Sequence, residues 1–197
     1  MSLNGLVIPA AIAFSYLLGS VPTGLWLGLK LRNIDIREHG SRNIGATNTL
    51  RVLGKRLGAF TLAMDVLKGW LPVVTALWLS AWDYLPILCG LAAILGHTFS
   101  VFLRFRGGKG VATSTGVFLG LAPVPTLIAA LVFAVVVAAT RMVSAGSIAA
   151  AAALSVAVFF FPASIPTRVV TVVVAALVIL KHRANVRRML KGEENRF

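Results

Sequence analysis

The sequence is poor in acid, in cysteine and in charge of any kind. Among 197 residues there are six Asp and Glu, three His and one Cys. The single cysteine, Cys89, lies in an apolar run, which excludes a disulfide framework and a cysteine-based zinc site. No two carboxylates are spaced to hold Mg²⁺, which disfavours a carboxylate-rich lipid phosphotransferase. None of His39, His97 and His182 is followed by an aspartate in the HxxxxD pattern, so the usual His–Asp acyltransferase dyad is missing. There is no Gly-x-Ser-x-Gly nucleophile elbow. GxxxxGK[ST] is absent too, which disfavours nucleotide hydrolysis. No repeat of 20–50 residues is visible, and the length leaves room for one membrane domain, 1–197.

Apolar sequence takes the place of the missing charge. Hydrophobic residues make up 58% and charged residues 13%, and the mean hydropathy is +0.89. A soluble domain would be about a quarter charged. Lipid is therefore the main solvent, and an all-α polytopic membrane protein is expected. About 20 apolar residues cross about 30 Å of hydrocarbon. A first span is predicted over 6–29; no basic stretch precedes it, so a retained helix is expected rather than a cleaved signal. Further spans are predicted near 57–79, 85–103, 111–122, 124–140, 143–161 and 166–181. Pro123 and Pro125 break the fourth from the fifth, because proline lacks an N–H and restricts its predecessor. The expectation is about seven helices, two of them short or broken around Pro123/Pro125.

The nineteen Lys and Arg outnumber the acids enough to give a net charge of +13. In a soluble chain that would suggest nucleic acid; the hydropathy excludes such a partner. With seven spans, segments 30–56, 104–110, 141–142 and 181–197 fall on one side and hold seventeen of the nineteen. Lys/Arg-rich loops are cytoplasmic, so the N-terminus is expected outside and the C-terminus inside.

The same side carries the polar motifs. Gly40-Ser41-Arg42-Asn43-Ile44-Gly45-Ala46-Thr47-Asn48 can turn tightly and present N–H groups to an anion, and Arg51 adds a planar fork matched to phosphate. Gly107-Gly108-Lys109-Gly110 precedes a predicted helix, whose N-terminus favours an anion. His182 and Asn185, at i and i+3, share a helix face at the C-terminal membrane boundary. Asp65 and Lys68, also i and i+3, are expected to form an ion pair inside the second span. Read blandly, these features are a capped loop, a snorkelling basic helix end and a structural pair. His97 reads as a polar residue near a helix end.

GSRNIGATNTLR, DVLKG, GHTFSVFLRFRGGKGVAT and HRANVRRMLKGEE, with Gly19-Ser20 before them, resemble the bacterial acyl-phosphate:glycerol-3-phosphate acyltransferases over nearly the whole chain. The resemblance implies transfer of an acyl group from acyl phosphate to the 1-hydroxyl of sn-glycerol 3-phosphate. The products would be lysophosphatidic acid and phosphate, at the cytoplasmic face of the bacterial inner membrane, with no cofactor, CoA or metal. It puts catalytic roles on Ser41, Arg51, Lys109, His182 and Asn185. Phosphate binding falls on Gly40, Asn43, Gly45, Thr47, Asn48, Gly107, Gly108, Gly110 and Ser144, and a structural role on Glu194. The implied partners are the two substrates, membrane lipid and the soluble enzyme that makes acyl phosphate. Two departures stand out: Arg42 where a glycine is common, and Ser100 where a proline is common.

Two neighbouring phosphate sites are expected, one from Lys109, the glycines and His182, the other from Ser41, Arg51, Asn185 and Ser144. The base is either His182, the motif residue titrating near neutrality, or an oxygen of the acyl phosphate. A rival reading is a transporter or channel for a small anionic metabolite, which would place charges and broken helices at the midplane.

Overall fold

The computed structural model describes residues 3–79 and 82–196. These form ten α-helices and one 3₁₀ turn: α1 (Leu3–Ser20), α2 (Thr23–Arg32), α3 (Ala46–Leu53), α4 (Lys55–Leu79), α5 (Leu85–Thr98), the turn Val101–Leu103, α6 (Val111–Leu121), α7 (Pro123–Thr140), α8 (Val143–Ala157), α9 (Ile165–Lys181) and α10 (Arg183–Leu190). No strand occurs among the described residues, as the all-α expectation requires. Two compact units are present, Met1–Gly120 and Leu121–Phe197.

The first unit departs from the expected straight span over 6–29. α1 and α2 meet at Val21-Pro22 with a 46° bend. Pro22 sits at the N-cap of α2 and has no N–H to continue the ladder. The polar segment 30–56 contains the two-turn helix α3. Small residues let the helices approach closely, as they do where lipid supplies no hydrophobic drive for association. A Cβ at Gly19 would run into the carbonyl of Ala93, and one at Gly96 into that of Tyr16, which locks α1 against α5. Ser100 Oγ donates to the Ser20 carbonyl at 2.6 Å, tying the 3₁₀ turn to the end of α1. Ser100 has φ −65°, the value a proline ring would impose. The departure at this position keeps proline's backbone geometry and adds a hydrogen bond.

In the second unit α7 begins at Pro123, as the proline pair predicts. Pro162 lies between α8 and α9 and Pro166 in the first turn of α9, with Ser164 capping α9 through the Thr167 N–H at 3.3 Å. α9 and α10 meet at His182 with a 52° bend, so the tail is not one continuous helix. Large apolar side chains face outward in both units, including Phe14, Leu62, Leu131 and Leu180. By length and composition, three segments can cross a membrane alone: Lys55–Leu79, Leu85–Leu103 and Pro123–Thr140. Counting each bent pair as one span raises that number to five, and α6 and α8 are shorter apolar helices.

Candidate active site

The first motif is built around one buried amide. Asn48, in the first turn of α3, is fully buried. Its Nδ2 donates to the Ile36 carbonyl at 2.8 Å and the His39 carbonyl at 3.2 Å, while its Oδ1 accepts the Ser41 N–H at 2.8 Å. Asn48, expected to bind phosphate, has both amide protons and the carbonyl oxygen on backbone and holds the loop in shape. Gly40 and Arg42 flank Ser41 at φ +59° and +58°. That left-handed region is easy for glycine and costs another residue about 1–2 kcal/mol. The glycine expected at position 42 therefore has a backbone reason, and Arg42 carries the strain.

Gly45 is the N-cap of α3, its carbonyl receiving the N–H groups of Asn48 and Thr49. Ser41, Asn43, Thr47 and Arg51 are half-buried, and Arg51 lies in the last turn of α3. Ile36 and Ile44 of the loop pack with Leu25 of α2, and Leu53 and Leu103 close the same cluster. Leu103 opens the segment leading to the glycines, so the first motif and the glycine loop are anchored in one apolar cluster.

The glycine loop folds back on the end of α5. The Gly107 N–H donates to the Thr98 carbonyl at 3.2 Å and the Gly108 N–H to the His97 carbonyl at 3.0 Å. These two N–H groups, expected to face a phosphate, satisfy carbonyls that the end of α5 would otherwise leave without partners. Gly110, at φ +80°, accepts the Ser114 N–H at 2.8 Å and starts α6. Lys109, between Gly108 and Gly110, is half-buried, and the first turn of α6 that follows directs N–H groups out of the helix.

Asp65 and Lys68 are buried and paired at 2.7 Å, as their spacing predicted. Lys68 Nζ also donates to the Val21 carbonyl at 2.8 Å, pinning the α1–α2 bend to α4. Removing one partner of such a pair would strand the other charge, which costs about 3–5 kcal/mol.

In the second unit Glu194 is the hub. Ser144 Oγ and Asn185 Nδ2 each donate to its Oε1 at 2.7 Å, and Arg188 Nε donates to its Oε2 at 2.8 Å. Burial pushes the Glu194 carboxyl up, but the hydrogen bonds from Asn185, Ser144 and Arg188 outweigh it and hold the group below its ordinary value. The structural role expected for Glu194 has this geometry behind it. The hydroxyl proton of Ser144, expected to bind phosphate, points at Glu194. His182, buried at the bend, places Nδ1 2.8 Å from the Val178 carbonyl. A carbonyl only accepts, so Nδ1 is the donor in this bond.

The family described as glycerol-3-phosphate acyltransferase matches residues 9–192. The chain belongs to this family. The glycerol-3-phosphate acyltransferase of Trichlorobacter lovleyi is 52% identical over 186 residues, covering 94% of this chain and 95% of that protein. The one from Geobacter metallireducens is 55% identical over 186 residues, with 94% and 95% covered. Among solved structures, PlsY, an integral membrane glycerol 3-phosphate acyltransferase, is similar in its glycerol 3-phosphate form. Its TM-score is 0.91 at 36% identity, over 97% of this chain and 96% of that one. The lysophosphatidic acid form of PlsY gives a TM-score of 0.89 at 36% identity, over 97% and 95%.

In this acyltransferase the first unit carries the polar side chains of α3 and of the loop before α6, and the second unit carries those of the α9–α10 bend. Sequence reasoning undervalued two residues. His97 proves to be the seat of the glycine loop, and Asn48 its counterpart in the first motif. Burial of so polar a residue as Asn48 is the signal for its role, and burial is a property of the fold.

Proposed function

We propose that this acyltransferase moves an acyl group from acyl phosphate to the 1-hydroxyl of sn-glycerol 3-phosphate. The observation that carries the reading is the match along nearly the whole chain to a family whose solved member takes forms with glycerol 3-phosphate and lysophosphatidic acid. The same match favours the enzyme over the transporter reading. The absence of a His–Asp dyad from the sequence supports an activated donor, because an acyl phosphate already carries a good leaving group.

In the proposed reaction the glycerol hydroxyl oxygen attacks the acyl carbonyl carbon. The new ester C–O bond forms as the bond from that carbon to the phosphate oxygen breaks. The hydroxyl proton passes to an oxygen of the departing phosphate, which leaves as inorganic phosphate. Arg51 and Lys109 supply fixed positive charge to the phosphates, and the first turn of α6 adds oriented N–H donors. Ser41, set by Asn48, is assigned to the same chemistry, with Gly40, Asn43, Gly45 and Thr47 shaping its loop. By resemblance His182 and Asn185 act in the reaction as well, His182 through Nε2. Alignment of hydroxyl and carbonyl is the main contribution of such a site.

We further read the protein as one functional domain over 1–197 in the bacterial inner membrane. The proposed topology is seven spans, counting α1–α2 as one, α6 and α8 as short ones and α9 as the last, with α10 on the cytoplasmic side. The N-terminus is outside and the site on the cytoplasmic face, where it meets the soluble enzyme that makes acyl phosphate. The assay that tests the activity combines acyl phosphate and labelled glycerol 3-phosphate with purified protein, without CoA and with EDTA. Labelled lysophosphatidic acid is expected, and none from folded protein would end the reading.

A further inference from the structure

We infer that His97 is a positioning residue for the glycine loop, setting the place of Lys109 and the α6 N-terminus through direct contact with Gly108. The inference rests on the proposed role of that loop in binding glycerol 3-phosphate. His97 is buried in the last turn of α5, and two parts of it meet the loop. Its backbone carbonyl accepts the Gly108 N–H at 3.0 Å. Its ring lies directly under the Gly108 Cα: an added Cβ would stand 3.1 Å from Cε1 and 3.2 Å from Cδ2, and nearer still to Nε2.

On its other side the ring faces α4. Asp65 Oδ1 lies 3.9 Å from His97 Nδ1, and Lys68 fixes that carboxylate while bonding to the Val21 carbonyl. The bend of the first two helices, the buried ion pair and the glycine loop thus form one chain of contacts. It ends one residue before Lys109.

A feature of the backbone makes the coupling testable. Gly108 is not among the residues with positive φ, so its backbone accepts alanine, and the three atoms nearest an added Cβ all belong to the His97 ring. Gly108→Ala is expected to raise KM for glycerol 3-phosphate by about tenfold, and His97→Ala by about fivefold, with kcat within about twofold in each. Independent effects would multiply to about fiftyfold in the double variant. If the ring is the obstacle, the double variant has room for the new methyl and stays within about twofold of His97→Ala alone. Multiplicative effects, or an unchanged KM in His97→Ala, would overturn the inference.

Hydrogen exchange gives a readout independent of turnover. Amides 107 and 108 should exchange faster in His97→Ala while those of α9 do not change. This holds even if the assay shows the substrate reading to be wrong, so the two failures are distinguishable. Where His97→Ala does not fold, His97→Asn removes the ring with a smaller loss of volume and is read in the same way. Failure of both to fold would make the ring a general structural element and reject the specific role.

Discussion

Asn185 and Ser144, 41 residues apart in the sequence, donate to the same oxygen of one carboxylate, Oε1 of Glu194, each at 2.7 Å. The C-terminal segment is thereby tied to the first turn of α8 and to α10. A residue assigned to catalysis is thus oriented by an acid just beyond the last helix.

Glu194→Gln keeps the shape but gives up the charge that three donors share. Hydrogen bonds to a charged group contribute about 1.5–3 kcal/mol, so a loss of about 2 kcal/mol in stability is expected by thermal unfolding in detergent. The sign with pH follows from the lowered carboxyl. Its stabilisation is complete above the usual glutamate value, about 4.3, and is lost as pH falls through the lower folded value. The wild type should therefore lose stability relative to Glu194→Gln only in that acidic range. A difference that stays constant down through it would contradict the assigned hub.

Arg42→Gly should stabilise the protein. Relief of the left-handed backbone is worth about 1–2 kcal/mol, offset by about 0.4–1 kcal/mol for greater freedom of the unfolded chain. A net gain of about 0.5–1 kcal/mol is expected, while Arg42→Val should destabilise. A lower melting temperature for the glycine variant would show that the Arg42 side chain, although exposed, contributes more than its backbone costs.

Asn48→Ala leaves the Ile36 and His39 carbonyls and the Ser41 N–H without their partner. Stranding a buried backbone group costs about 1–3 kcal/mol; the bond to the Ile36 carbonyl is buried and the other two are part-buried, so a loss of about 2 kcal/mol is expected. Activity should fall further than stability explains, because Ser41 is no longer held. Asn48→Asp is the sharper control: it retains an acceptor for Ser41 and turns an acceptor oxygen toward the two carbonyls. Wild-type kcat/KM in a folded Asn48→Ala protein would remove Asn48 from any positioning role.

His182→Ala separates base from binding group. With the phosphate oxygen as the proton acceptor, KM for glycerol 3-phosphate is expected to rise more than kcat falls. Near-complete loss of kcat at unchanged KM would instead make the imidazole the general base. Lysophosphatidic acid formation at varied glycerol 3-phosphate is the measurement.

The motifs were legible because their chemistry is local. Asp65 and Lys68 stand one helical turn apart, and their spacing alone predicted the pair that forms. Pro123 marked the start of α7 for an equally local reason, the missing N–H. Pro22 did not announce the α1–α2 bend, since one proline in a long apolar run also fits a continuous span. The glycine loop was readable as a place for anions but not in its wiring: the N–H groups of Gly107 and Gly108 belong to α5.

Alone, the sequence determined that lipid is the solvent, that the positive charge gathers in a few segments, and that the motifs follow one another in the order of the acyltransferase family. Hydropathy, charge and motif order are summed along the chain, so they survive without coordinates. The tertiary structure decided which proton goes to which acceptor: Ser144 to Glu194, Gly108 to His97, Asn48 to its own loop. A hydrogen bond depends on a few tenths of an ångström and a direction between atoms that can lie 50 residues apart, as Ser144 and Glu194 do. Only the packed chain fixes those.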